Sequence, residues 1–511
     1  MVGEIAQGGR EPAPPRPFAG AGEVAVVLPR DGRALGEGGA RALADLAALL
    51  RRERAELAVE LGAPVSFVAA DPGAGPRWLI GPAAANPDLT RYAYPRDGRA
   101  RLWLDRARGV LIADAPGLDG IRETLNLLRT LALDGRDEVA AADCRDRDEA
   151  IARLVVEVGR TYPAFALRHL DWAAICARHV GRVRAAADPL PALQTWLAEL
   201  QDAHTWAKPR PAPVSLPYTV RVEGDTATFV RVPPGTAAWE AGVRPGDILL
   251  DADAAGWWAR TGAPAHARPL MAGYRLLAGP VGVPRDLAAR SPRGEVRTWT
   301  EAPAADPPYP PVSWRRLPSG SGYLRVASWR AGPDFAAALD AAFADLAGAG
   351  RLIVDLRGNV GGNLVAALAF RDRFLREPIV CGSVRFSDGT GGLAPPAEIA
   401  GEPAPERDRW RGPVRFLTDP LTYSASEDAL LGLQGLPHVR VVGEPSGGGS
   451  GRPRTLRLLP GLQLTVSTAL TFDRQGHCVE GAGIPVDLPV APGRPAPDAP
   501  DAALLAAERS W

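Results

Sequence analysis

The stretch best suited to chemistry is RFLTDPLTYSASEDALLGLQGLP, residues 415–437, and it centres on Ser424. The run 415–417 reads as a buried strand, which Asp419-Pro420 ends because proline cannot donate to a ladder. A helix is expected from Ser424, with Ala425, Leu430, Leu431, Leu433 and Leu436 at helical spacing and Glu427 and Asp428 placing negative charge in the first turn. A hydroxyl at such a corner lies beside backbone N–H groups that no helical turn satisfies. They can stabilise the oxyanion formed when the hydroxyl attacks a carbonyl. The same residues also spell S-x-x-E, the capping box of many ordinary helices, so Ser424 and Glu427 alone leave both readings open.

Two more stretches have chemical character. RGNVGGN (357–363) follows the apolar run RLIVDL and opens a helix, so its glycines expose backbone N–H groups at the carboxyl end of a strand. A phosphate loop or a plain tight turn is the alternative, but G-x-G-x-x-G and G-K-[ST] are absent. His204, in QDAHTWAKP, stands just past a helical stretch, with Pro209 and Pro211 preventing another helix. A lone histidine there is equally a structural residue. Lys208 is the only lysine among 59 Lys and Arg residues. The four cysteines, Cys144, Cys176, Cys381 and Cys478, lack metal-ligand spacing and read as free thiols.

The elements that must position these residues are spread over 511 residues, enough for several domains. Apolar residues make up 46% and charged residues 23%, with 59 acidic against 59 basic side chains. This balance gives no whole-chain electrostatic footprint for nucleic acid or an anionic membrane. Residues 1–20 read as a flexible lead-in without the apolar core of a signal peptide, and no uncharged apolar stretch reaches spanning length. The expected location is cytoplasmic.

The expected fold class is multidomain α/β and α+β. An N-terminal α/β accessory unit covers 21–137, with strands in GEVAVVLP, LAVEL and RWLIG, a hairpin in ARLWLD and GVLIADA, and helices over 39–53 and 118–131. It resembles the small α/β domain that precedes the catalytic barrel of some glycoside hydrolases. A helical bundle at 148–212 carries His204. A β-rich segment, 216–300, contains GTAAWEAGVRPGD, which resembles PDZ domains, the modules that bind an extended peptide as an added strand. An α/β core follows at 313–495, with βαβα order and hence a largely parallel or mixed sheet. A tail, 496–511, ends the chain.

Four pieces occur in one order: LDW (170–172) with DAHT (202–205), the PDZ-like segment, DLRGNVGG (355–362) and SASE (424–427). Over about 148–490 the chain resembles the C-terminal processing (tail-specific) serine peptidases, more specifically their tricorn-like branch. The resemblance implies a crotonase-like β-β-α superhelix in the core and a peptide or protein substrate. It implies neither cofactor nor metal, and no nucleic acid or membrane partner. Homo-oligomer assembly is left open.

Residue by residue, the resemblance makes Ser424 the nucleophile and assigns the oxyanion hole to the backbone N–H groups of Ala425 and Gly361, with Gly362 the neighbouring candidate. The better-known branch uses a lysine in a G-K-G turn, where this chain has Gly449 within VVGEPSGGGSG. Tricorn-like members use the histidine of D-x-H-T, oriented by a late glutamate, which correspond to His204 and to Glu480 in HCVEGAGIPVD. A neutral imidazole removes a serine proton near pH 7, and a carboxylate fixes its tautomer. An ionisation near 6 to 7, about the free imidazole value, is therefore expected in the rate profile. His477 is a weaker rival base. Lys208 is expected to face solvent or to bind a substrate carboxylate, and Thr205 to line the site. Residues 216–300 hold none of the catalytic set and are expected to select substrate rather than take part in chemistry. The alternatives are a non-catalytic binder of small apolar ligands, similar to retinoid-binding proteins, and a peptide-binding scaffold.

Overall fold

The computed structural model describes residues 16–511 except 33–38, 53, 135–136, 306–308, 331, 450 and 498. Most of the lead-in, residues 1–15, lies outside the described residues. The chain forms two compact units. One comprises residues 1–180, 383–399 and 452–470, and the other 181–382, 400–451 and 471–511.

The first unit opens with strands β1 (Val24–Val27), β2 (Val65–Val68), β3 (Arg77–Ile80), β4 (Arg101–Asp105), β5 (Val110–Asp114) and β6 (Glu138–Ala140), in sheet order β2-β1-β3-β5-β4-β6. The pairings β2-β1-β3-β5 are parallel, and β4 is antiparallel to β5 and β6, as the expected hairpin requires. Helices α1 (Gly39–Arg52), α2 (Arg54–Leu61) and α3 (Leu118–Asp134) belong to this unit. Val24, Val26, Trp78 and Ile80 pack with Leu46, Leu50 and Leu128, whereas Val27, Leu79 and Ile112 fill a second cluster with Leu89. Burial on both faces explains why the parallel strands read as unbroken apolar runs. LAVEL, expected as a strand, lies inside α2. Leu57 and Leu61 are buried four residues apart, a helical repeat that five residues of apolar alternation cannot be told from. Helix α4 (Arg147–Thr161) follows in this unit, α5 (Trp172–Ala185) runs across residue 180, and α6 (Pro189–Ala198) belongs to the second unit; Asp146 and Asp188 cap α4 and α6.

In the second unit, β7 (Trp206–Pro209) follows His204. Strands β8 (Thr219–Glu223), β9 (Thr226–Arg231), β10 (Ile248–Leu249), β11 (Arg285–Arg290) and β12 (Val296–Glu301) form an antiparallel sheet in the order β12-β11-β10-β9-β8. Its helices are α7 (Ala237–Glu240), α8 (Ala254–Arg260) and α9 (Arg268–Leu276). Helix α9 lies on the β8 edge, where a Cβ on Gly273 would come within 1.8 Å of the Val220 carbonyl oxygen. Adjacent strands need a spacing of about 4.8 Å, so an added peptide strand does not fit between them. Strand addition would have to use the other edge, β12.

The core sheet has the order β13-β14-β15-β16-β17-β18, namely Val312–Arg316, Gly322–Val326, Leu352–Asp355, Val414–Thr418, Val439–Gly443 and Leu488–Pro489. Only the β13–β14 pair is antiparallel. Helices α10 (Pro333–Leu346), α11 (Leu364–Asp372) and α12 (Ala425–Leu430) belong to this part, and α13 (Ala502–Arg509) occupies the expected tail. Ala507 of α13 packs with Leu417 and Val442, and Arg357 binds the Asp501 carboxylate through two hydrogen bonds. The helix expected to run from Ser424 past Leu433 stops at Leu430, ahead of Gly432 at φ 86°.

Candidate functional site

Strands β15 and β16 are parallel neighbours whose carboxyl ends open side by side, so the loops after them meet. The loop after β16 carries Ser424 at φ 57° and ψ −121°, a conformation that costs a non-glycine residue roughly 1–3 kcal/mol and persists only where its surroundings impose it. Those surroundings come from the DLRGN loop. The Asn359 carbonyl accepts the Tyr423 N–H at 3.1 Å and the Ser426 hydroxyl at 2.9 Å, and Trp329 Nε1 donates to Ser426 Oγ at 2.8 Å. Thr422 Oγ1 donates to the Leu356 carbonyl at 3.1 Å.

Glu427 supplies the other clamp. Its carboxylate accepts the Ser424 N–H at 2.9 Å, the Ser446 hydroxyl at 2.6 Å, and the Gly448 and Gly449 N–H groups at 2.8 and 2.9 Å. Burial pushes this carboxyl up to about 7 while the donors pull it down. The capping-box reading is therefore correct for the Glu427 half, and the cap also ties the nucleophile corner to the glycine loop 447–449. The two readings of Ser424 are compatible.

Gly361 lies directly against this corner. With φ 108°, it would carry a Cβ 2.9 Å from Ser424 Cβ and 3.2 Å from Ala425 N, so only glycine fits. Its own N–H donates to Asn359 Oδ1 at 3.0 Å. Among the described residues the N–H groups of Ala425 and Gly362 donate to no acceptor. The Gly361 N–H is thus engaged within its own loop, whereas the Gly362 N–H is not.

His204 follows α6 in a loop shaped by Asp202. The Asp202 carboxylate accepts the His204 N–H at 2.8 Å and the Thr205 hydroxyl at 2.6 Å, and Arg275 of α9 donates to the Ala203 carbonyl at 2.8 Å. Thr205 is buried with its hydroxyl committed to Asp202, so it shapes the loop instead of lining a substrate site. The His204 ring is half-buried and meets Tyr423, whose Oη lies 3.4 Å from Nδ1, with ring centroids 4.7 Å apart. Burial, helped by the charges of Lys208 and Arg275 and opposed by Asp202 and Asp428, pushes the imidazole down to about 4.

Lys208 does not face solvent as expected. It is half-buried with Nζ 5.4 Å from the Trp206 ring centroid, while Arg275 stacks on the same ring at 4.4 Å. Burial and the neighbouring Arg275 lower its pKa. Glu480 is buried, and the next residue, Gly481, donates to the Gly448 carbonyl at 2.8 Å. The negative charge of Glu480 helps to raise the Tyr423 phenol well above its usual range, after burial and Asp202. His477 is exposed and bonded to Asp473 at 3.0 Å. It is not part of this cluster.

Tyr423 is the site residue that sequence reasoning missed. It is buried among Ala203, Leu421, Ala263, Ala267 and Leu270, and a Cβ on Gly449 would lie 1.8 Å from its Oη. A lysine at 449 is sterically incompatible with this phenol. The residue types that could have signalled it are the bulky aromatic beside the serine and the two glycines, Gly447 and Gly449, that make room for it. The β-rich segment touches the same loops through backbone carbonyls: besides Arg275, His266 Nε2 lies 2.8 Å from the Ser446 carbonyl oxygen. Among the described residues no group of His, Cys, Asp and Glu is arranged to hold a metal ion. No described helix is long and apolar enough to cross a membrane.

The family model of peptidase family S41 matches residues 320–490. No curated protein matches the chain. Among solved structures, mature CPAF complexed with lactacystin is 15% identical with a TM-score of 0.50, over 68% of this chain and 94% of that one. The photosystem II D1 C-terminal processing protease is 19% identical with a TM-score of 0.47, over 68% and 94%. The tricorn protease is 15% identical with a TM-score of 0.32, over 76% of this chain and 39% of that one. At these identities the CPAF likeness speaks for the fold, a mixed α/β multidomain architecture. Residues 320–490, which hold Ser424, Gly361, Glu427 and Glu480, are the part of this chain that is similar to peptidase family S41.

Proposed function

We propose that the chain is a serine peptidase of the C-terminal processing kind, working through an acyl-enzyme with Ser424 as nucleophile, His204 as base and Glu480 as the carboxylate that orients it. The observation that carries this reading is the imposed backbone of Ser424, with Gly361 in contact and the Ala425 and Gly362 N–H groups without acceptors beside it. A capping serine needs no such conformation. A nucleophile that must present its hydroxyl beside amide donors does.

In this reading Ser424 Oγ attacks the scissile carbonyl while its proton passes to His204, and the carbonyl oxygen collects negative charge facing the Ala425 and Gly362 amides, with Gly361 shaping the loop. Collapse breaks the C–N bond, and the imidazolium returns the proton to the leaving amine. Water then repeats the sequence to release the acyl group. Lys208 is assigned to electrostatics rather than proton transfer: with Arg275 it keeps the imidazole neutral. The test is labelling by a fluorophosphonate probe, expected at Ser424 and lost in Ser424→Ala. A binder of apolar ligands or a peptide scaffold would label in neither form.

A further inference from the structure

We propose that Tyr423 is the positioning residue for His204: its phenolic oxygen takes the imidazole Nδ1–H, and its ring holds the imidazole face. The inference rests on the reading of His204 as the base. Tyr423 Oη is the hydrogen-bond partner of the His204 ring among the described residues, at 3.4 Å from Nδ1.

Two proton arrangements fit one Tyr–His contact. If the phenol donates to Nδ1, the imidazole proton sits on Nε2, and that tautomer cannot accept a proton from serine there. If Nδ1–H donates to the phenol, Nε2 is the free base, and the phenol proton needs another acceptor. The reading of His204 as the base requires the second arrangement. Burial and the charges of Asp202, Glu480 and Glu427 keep the phenol protonated, so its oxygen meets the imidazole as a neutral acceptor.

The phenol is also held in place. Its ring packs against Ala203, the residue before His204, and against Leu270 and Met271 of α9, while the glycine loop fits around its hydroxyl. A ring so confined fixes the imidazole orientation through one bond and through face contact at 4.7 Å between centroids. No net proton is lost from Tyr423 during the reaction. It remains neutral and fixes orientation.

The test is Tyr423→Phe, which removes one oxygen from a packed ring. We expect kcat to fall about 100-fold with KM unchanged, in the range of a misdirected general base. The acid limb of kcat/KM should move to lower pH, because the imidazolium loses its acceptor. Activity of Tyr423→Phe within about twofold of wild type would overturn the proposal. Nitrogen NMR of the imidazole gives a readout that does not depend on a variant folding. The proton is expected on Nδ1 of His204 at neutral pH, and an Nε2–H tautomer would contradict it. His204→Ala separates the two claims. If it is inactive while Tyr423→Phe is active, only the positioning role fails. If it is active, the base assignment itself fails.

Discussion

The two halves of the site are held very differently. The nucleophile corner is fixed by the Asn359 carbonyl, Trp329 acting through Ser426, and a Glu427 carboxylate bound to Ser424 and to the glycine loop. The base loop hangs on Asp202 and on Arg275, and the His204 ring itself on one phenol at 3.4 Å. The strain at Ser424 explains the first arrangement, because a backbone in that region relaxes unless several bonds oppose it. Aligning an imidazole needs less, since a half-buried ring in a protein core already has few orientations. Damage to the groups that clamp the corner should therefore cost fold and rate together, whereas loss of the Ser424 hydroxyl alone, or damage to the base loop, should cost rate alone.

The largest effect is expected for Ser424→Ala. Peptide hydrolysis should fall by several orders of magnitude, as loss of a nucleophile does, with the unfolding midpoint little changed. Activity within tenfold of wild type would remove the nucleophile assignment. Next comes Glu427→Gln, which places amide hydrogens against backbone N–H donors. It should lower stability by about 3 kcal/mol, the scale of lost hydrogen bonds to a buried charge, and activity with it. Denaturant unfolding measures the first and fluorophosphonate labelling the second. An unchanged midpoint would mean that the corner is not held from Glu427.

A smaller effect is expected on the base side. Arg275→Met removes the donor to the Ala203 carbonyl but keeps an apolar stem against Trp206. Here kcat should drop about tenfold with KM and the unfolding midpoint nearly constant, the cost of a loosened catalytic group. A matching loss of stability would show that the two halves are not held differently after all. The smallest effect is expected for Lys208→Arg, which preserves the positive charge near His204 and should keep most of the rate.

Much of the corner was legible locally. The strand before Asp419, the helix after Ser424 and the glycines after RLIVDL all follow from short-range patterns, and the structure places each where those patterns end. His204 at an element boundary was legible in the same way. Tyr423 was not, because its role depends on Gly449, Ala203 and α9, which are distant in sequence and become neighbours only in the fold. The mistaken strand at LAVEL and the missed helix α13 are losses of a different kind. Five residues do not separate a period of 2 from one of 3.6, and a short alanine-rich helix shows its buried face only when Ala507 meets the core sheet. The contribution of the β-rich segment was hidden because Arg275 and His266 act through backbone carbonyls, which carry no sequence signature.

The most direct measurement is the rate of Ser424 labelling by a fluorophosphonate as a function of pH, in wild type and in the His204→Ala and Lys208→Arg variants. The base must be neutral, and burial has moved the imidazole down to about 4, below the free value near 6.5. Protonation on the acid side then removes the base, so the rate should rise with pH through an ionisation near 4 and be level by neutrality. That replaces the ionisation near 6 to 7 that an unperturbed imidazole would give. Lys208→Arg should keep this profile and His204→Ala should lose the reaction. A rate that rises only on the alkaline side and is abolished in Lys208→Arg, with His204→Ala still reactive, would contradict the account.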